Sequence, residues 1–91
     1  MPRDLRTASS FERDVKRIIK QGRDISKIKA VVDLLIDGAV LPDKNRDHVL
    51  IGEWKGCREC HVEPNWLLIY EVSEEEVFLH RTGSHAELFG M

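Results

Sequence analysis

The 91-residue sequence predicts an α+β fold in which an N-terminal helical hairpin packs on one face of a small antiparallel sheet. Two apolar stripes at helical period occupy residues 11–36. Beyond residue 56 the pattern changes to short apolar or alternating runs separated by turn residues. Helices followed by strands, without alternation, favour segregated layers over a parallel βαβ sheet.

In chain order, Leu5-Arg6-Thr7 suits a short first strand. Ser9 opens a helix with the pattern Ser9-x-x-Glu12, a capping box that satisfies two otherwise unpaired backbone donors. Phe11, Val15, Ile18 and Ile19 then form one apolar stripe, and Gly22 is a stop. Asp24 is placed to cap a second helix with the stripe Ile28, Val31, Val32, Leu35 and Ile36, ended by Gly38. The short connection makes a helical hairpin. Leu41-Pro42 and the run Asp43–Asp47 mark a polar loop, a place where side chains can act without burying their backbone. Arg58–Val62 reads as a strand and Glu63-Pro64-Asn65 as a turn. The nearly continuous apolar run Trp66–Val72 suits a central strand covered on both faces. An acidic turn at Ser73–Glu76 leads to a last strand, Val77–Thr82, then Gly83 and a short tail. The order is β-α-α-β-β-β, an antiparallel meander with both helices on one face.

A chain of this length suits one domain spanning residues 1–91. With 42% hydrophobic and 33% charged residues it has the composition of a water-soluble globular protein. No apolar run approaches the roughly 18–20 residues that cross a bilayer, so no membrane association is expected. The polar start MPRDLRTASSFERD shows no signal peptide, which makes the cytoplasm, where thiols stay reduced, the expected location. Charge is uneven: residues 1–29 hold nine Lys/Arg against four Asp/Glu, and residues 49–91 hold three against eight. A basic segment can follow phosphates, although solvated helix faces give the same count.

Cys57-x-x-Cys60-His61 matches the pattern of covalent haem attachment and half of a zinc site. On a strand, however, side chains alternate, so Cys57, Glu59 and His61 point one way and Arg58, Cys60 and Val62 the other. Two thiols on opposite faces cannot share a zinc ion, a haem edge or a disulfide. Gly56 and Pro64 leave little room for the helix that would bring them together. The expectation is unpaired strand cysteines, with Cys60 in the core, and no metal or cofactor.

The histidines are then of greater interest. His48 lies in the polar loop, His61 near a strand end beside Glu59, and His85 in the tail, with Arg81 before it on the same face as Val77 and Leu79. Imidazoles beside a guanidinium suit metal-free RNA cleavage. Histidine exchanges protons near neutrality, and the arginine fork matches phosphate oxygens.

The run Asp47-His48-x-Leu50-x-Gly52-x-Trp54-Lys55-Gly56-x-Arg58-Glu59-x-His61-Val62-Glu63-Pro64-x-Trp66-x-Leu68-Ile69-Tyr70 resembles the core of the YafQ branch of RelE/ParE toxins. Arg81-Thr82-Gly83-Ser84-His85-Ala86-x-Leu88-Phe89 resembles its C-terminal signature. The resemblance implies a toxin of a type II toxin–antitoxin pair that cuts messenger RNA on the ribosome, is blocked by a cognate antitoxin and meets operator DNA only through that complex. It places His48 and His85 in proton transfer and His61 and Arg81 at the phosphate. Lys55 and Arg58 would contact the RNA backbone, and Glu59, Asn65, Trp66 and Phe89 would shape the nucleotide pocket. The basic hairpin would face ribosomal RNA. Asn65 and Glu59 both depart from aspartates of the best-known member. The alternative within the same fold is a non-nuclease chain that inhibits gyrase or only binds antitoxin.

Overall fold

A computed structural model describes residues 2–90. Its elements are β1 (Asp4–Thr7), α1 (Ser9–Lys20), α2 (Ile25–Ile36), β2 (His48–Val49), β3 (Arg58–Glu63), β4 (Trp66–Val72), β5 (Glu76–Gly83) and α3 (His85–Phe89). The strands form one sheet in the order β1-β5-β4-β3-β2. One face is covered by α1 and α2. Phe11 and Ile18 of α1 and Ile28, Val31, Val32 and Leu35 of α2 pack with Cys60, Trp66, Leu68, Tyr70, Val77 and Leu79. Each such large apolar side chain contributes roughly 1.5–3 kcal/mol when fully buried. Leu67 and Ile69 are fully buried as well but alternate onto the opposite face, away from α1 and α2.

The α+β class, the hairpin and the β3-β4-β5 meander agree with the sequence reading. Asp24 caps α2 through its side chain as expected. Five details differ. β1 pairs with β5 in parallel, Leu5 opposite Val77, so the sheet is mixed. The meander leaves the outer edge of β5 open, and the N-terminal strand fills that edge from the direction the helices allow. The polar loop contains β2, and the tail forms α3.

The expected box at Ser9 and Glu12 is not made: the cap residue of α1 is Ala8, with no side-chain cap bond. The Ala8 amide instead donates to Leu79 O at 2.9 Å, so strand pairing sets where the helix begins. The box forms at Ser84 and Glu87, at the start of α3. Fourth, Ile19 is 55% exposed, while Asp14 is buried among the apolar residues of α1.

The fifth difference sets up the site. Between β4 and β5 the register shifts by one: Tyr70 faces Leu79, yet Ile69 faces Arg81. His80 is the extra residue of a β-bulge. Such a bulge re-aims side chains, and here it moves Arg81 off the face of Val77 and Leu79 and into line with Ile69.

Candidate active site

Strand pairing assembles residues far apart in sequence. His48 pairs with Glu59, Glu59 with Ile69, and Ile69 with Arg81, one row across β2 to β5. The next row holds His61, Leu67 and Gly83. Gly83 leads directly into α3, which returns His85 beside His61. The ring centroids of His48 and His61 are 6.5 Å apart, those of His61 and His85 5.9 Å, and those of His85 and Phe89 6.5 Å.

Each imidazole has its own partners. Nδ1 of His48 lies 2.8 Å from Arg46 O, and Nδ1 of His61 lies 3.2 Å from Pro64 O. A carbonyl oxygen only accepts, so both Nδ1 atoms carry hydrogen. Their Nε2 atoms face one carboxylate: Glu59 Oε1 is 3.4 Å from His48 Nε2 and 3.9 Å from His61 Nε2. Glu59 is only 5% exposed, so its charge is directed at the two rings rather than spread into water. His85 is oriented by Asn65, whose Oδ1 accepts from the His85 amide at 3.3 Å and lies 3.1 Å from its Nδ1.

The loop before β2 is tied down from both sides. Asn45, buried, donates from Nδ2 to His61 O at 2.7 Å. Arg46 takes the left-handed conformation, φ 47°, and turns its carbonyl toward His48. For a residue with a Cβ that conformation costs roughly 1–2 kcal/mol, tolerated where surrounding bonds hold it. Asp47 accepts two hydrogen bonds from Arg58 Nε, at 3.2 and 3.3 Å, one from its Nη2 at 3.1 Å, and one from the Tyr70 hydroxyl. Burial and then the Asp47 carboxylate push the Tyr70 hydroxyl far above its ordinary range, so it remains a donor.

Arg81 does not stand free in the site. Asp14 of α1 receives its Nε at 2.6 Å and its Nη2 at 3.0 Å, a bidentate pair. Asp14 also accepts from Arg17 Nη1 at 2.7 Å and from the Thr82 amide at 3.1 Å. Burial alone would raise the Asp14 carboxyl, but the bonds from Arg81, Thr82 and Arg17 outweigh it and hold the group below its usual value.

A model of the YafQ toxins, described as bacterial toxins of type II toxin–antitoxin systems, matches residues 3–90. The chain belongs to the YafQ toxin family. Among curated relatives, the mRNA interferase toxin YafQ of Escherichia coli strain K12 is 43% identical over 89 residues, 97% of each chain. The crystal structure of the E. coli DinJ–YafQ toxin–antitoxin complex superposes with a TM-score of 0.91 at 42% identity, covering 99% of this chain and 100% of the other. A metal-bound toxin from Helicobacter pylori superposes with a TM-score of 0.89 at 40% identity, covering 98% and 100%.

Within this YafQ-family chain, the residues expected from sequence do not all converge. His48, Glu59, His61, Asn65, His85 and Phe89 share one surface. Arg58, opposite Tyr70, faces the helices and holds Asp47, which positions His48 from behind rather than presenting a cation to RNA. Trp66 is fully buried, donates from Nε1 to Thr82 Oγ1 at 2.9 Å and lies 5.5 Å beneath the Arg23 guanidinium, so it is a core residue and cannot stack on a base. Lys55 is exposed on the turn before β3. Cys57 and Cys60 are free and separated by the sheet as expected, with Cys60 fully buried and its thiol pushed up to about 12 by burial.

Sequence reading missed Asp14, which lies within α1 outside its apolar stripe. It also missed Lys44 and Arg46, which with Asn45 line an open cleft of about 480 Å³ beside His61. Their only sequence signal was the polar loop itself.

Proposed function

We propose that this YafQ-family toxin is a ribosome-dependent endoribonuclease that cuts messenger RNA by metal-free attack of a ribose 2′-hydroxyl on the adjacent phosphate, and that a cognate antitoxin neutralises it. The observation that carries the reading is the row of three imidazoles gathered around Glu59 and Asn65 on the face away from α1 and α2. The names of the E. coli relatives, an mRNA interferase crystallised with its antitoxin DinJ, support it.

In this reading His48 and His85 divide the two proton transfers: one takes the 2′-hydroxyl proton, and the other protonates the departing 5′-oxygen as the 2′,3′-cyclic phosphate forms. His61 lies between them and donates to the phosphate. Arg81 adds positive charge at the end of the row. Its Nε and Nη2 are engaged by Asp14, which leaves Nη1 for a phosphate oxygen. Lys44 and Arg46 guide the RNA backbone along the cleft, and Phe89 offers a ring on which a base stacks, worth on the order of 1–3 kcal/mol. Operator DNA is met only through the antitoxin complex.

The test is induction of wild type beside His85→Ala and His48→Ala, with mapping of transcript 5′ ends. Wild type arrests translation with new transcript ends, and both variants restore growth and intact transcripts. Equal toxicity of the double variant with intact transcripts would sink the nuclease reading. DNA-damage signalling in that outcome would turn attention to gyrase.

A further inference from the structure

Two residues along the same face from Glu59, a second cluster lies outside the histidine row. Cys57 immediately precedes Arg58, whose strand partner is Tyr70, so Cys57 falls beside Glu71. The bulge brings His80 to the same place from β5. The ligand atoms of Cys57, Glu71 and His80 all lie within 4.8 Å of one another. His80 Nε2 is already 2.5 Å from Glu71 Oε2. The imidazole is seated between Phe78, 4.3 Å away by ring centroids, and the edge of Trp54 at 5.9 Å. Cys57 is buried and its thiol is pushed up, first by burial and then by the Glu71 charge.

We infer that Cys57, Glu71 and His80 form a binding site for a divalent transition-metal ion, zinc being the best fit. A thiolate just before β3, a carboxylate on β4 and an imidazole on β5 supply three ligands, which leaves the fourth tetrahedral position to water. A hard cation such as magnesium would not choose this donor set. On binding, the metal displaces the Cys57 thiol proton to solvent and takes the His80 nitrogen that now meets Glu71. Metal charge offsets both the burial of a Cys57 thiolate and its repulsion by Glu71. The bound ion braces the turn of Trp54 and Lys55 against β4 and β5. It has no place in the cleavage step, since none of its ligands belongs to the histidine row.

The full-length chain, stripped with a chelator, is titrated with cobalt(II) and then with zinc. The expected result is one equivalent of cobalt with a thiolate-to-metal charge-transfer band, bleached by zinc, together with a zinc-dependent rise in the melting midpoint. Cys57→Ser, His80→Gln and Glu71→Gln each remove the band and the rise, while Cys60→Ser and His48→Gln/His85→Gln keep both. A wild-type chain that gives no thiolate band overturns the site, whatever the variants do. So does a band that survives Cys57→Ser, or one that disappears only with the histidine-row variant.

Discussion

At the scale of single residues, the site turns on side chains that orient rather than react. Asn65 is the clearest. An amide cannot serve as a carboxylate base, but its Oδ1 accepts from both the amide and the ring of His85. Asn65→Ala should therefore lower cleavage by about 10²-fold, the size expected for a misplaced reacting group, with little change in melting midpoint. Asn65→Asp retains the acceptor and should recover most of the rate in the same ribosome-programmed assay. Asp14 is the corresponding case on the helix face. Its removal leaves Arg81 and the Thr82 amide unmatched, so Asp14→Ala should cost about 3–5 kcal/mol by urea unfolding. Trp66→Ala should cost a similar amount, because a fully buried ring leaves a cavity. If Trp66 instead stacked on RNA, activity would fall with stability unchanged.

Among the elements, α3 carries two of the proposed site residues, His85 and Phe89, on the least structure. Its five residues are too few to hold a helix by themselves. The Ser84–Glu87 box closes its first turn, and Ser84→Ala should cost about 0.5–2 kcal/mol while lowering cleavage further by loosening His85 and Phe89. Gly83 joins β5 to α3 at φ 154°, where an added Cβ would come within 2.5 Å of Arg17 Nη2 and 3.0 Å of Glu87 Oε1. Glu87 is held down to about 2 by the Ser84 amide first, with Gln21 and Arg17 adding to it, although burial opposes them. Arg17 Nε lies 2.9 Å from Glu87 Oε2, at an angle that makes it an ion contact rather than a hydrogen bond. Because the folded value lies below the unfolded one, the contribution is complete above about pH 4.5 and is lost as pH falls toward about 2. Melting midpoints across that window should fall less steeply for Glu87→Gln than for wild type. α1 has an analogous task. Beyond the end of β1 the edge of β5 has no strand beside it, and Ser10, Asp14 and Arg17 bond to His80 O, Thr82 N and Thr82 O in its place.

On the scale of the whole molecule, the two faces of the sheet divide the labour. One carries the core, and the other carries the histidine row and the Cys57–Glu71–His80 cluster. Part of the basic surplus of the N-terminal third resolves into ion pairs, as with Arg6–Glu76, Lys27–Glu63 and Lys29–Asp33. Arg13, Lys16 and Lys20 are exposed at helical spacing on α1 and form a cationic stripe, the surface that the proposed ribosome-dependent activity would set against ribosomal RNA. Changing all three to Glu should weaken ribosome association. Its salt dependence should lessen by about two units of log slope, if each meets one phosphate at roughly 0.7 per contact. Equal ribosome binding by the variant would place that contact elsewhere.

Much of this was legible in the sequence, where the physics is local. The run Trp66–Val72 became β4 residue for residue, because a continuous apolar stretch of that length suits a strand covered on both sides. Asp24 and Gly22 marked their helix ends through backbone chemistry that acts within a few residues. The spacing of His48, His61 and His85 carried the family resemblance. Other features depend on partners that sequence distance hides. Asp14 and Arg81 are 67 positions apart, and nothing in the α1 pattern shows that its one buried carboxylate meets a guanidinium on β5. Likewise, the side taken by Arg81 and His80 rests on a bulge, which exists only in the register between two paired strands. The sequence by itself determined the two helices of the hairpin, the meander and the identity of the histidines, since periodicity and backbone propensity act locally. The tertiary structure alone decided that Trp66 is core, that Arg58 and Arg81 are already paired, and that Cys57 meets Glu71 and His80. Those outcomes are set by which surfaces the folded chain brings into contact.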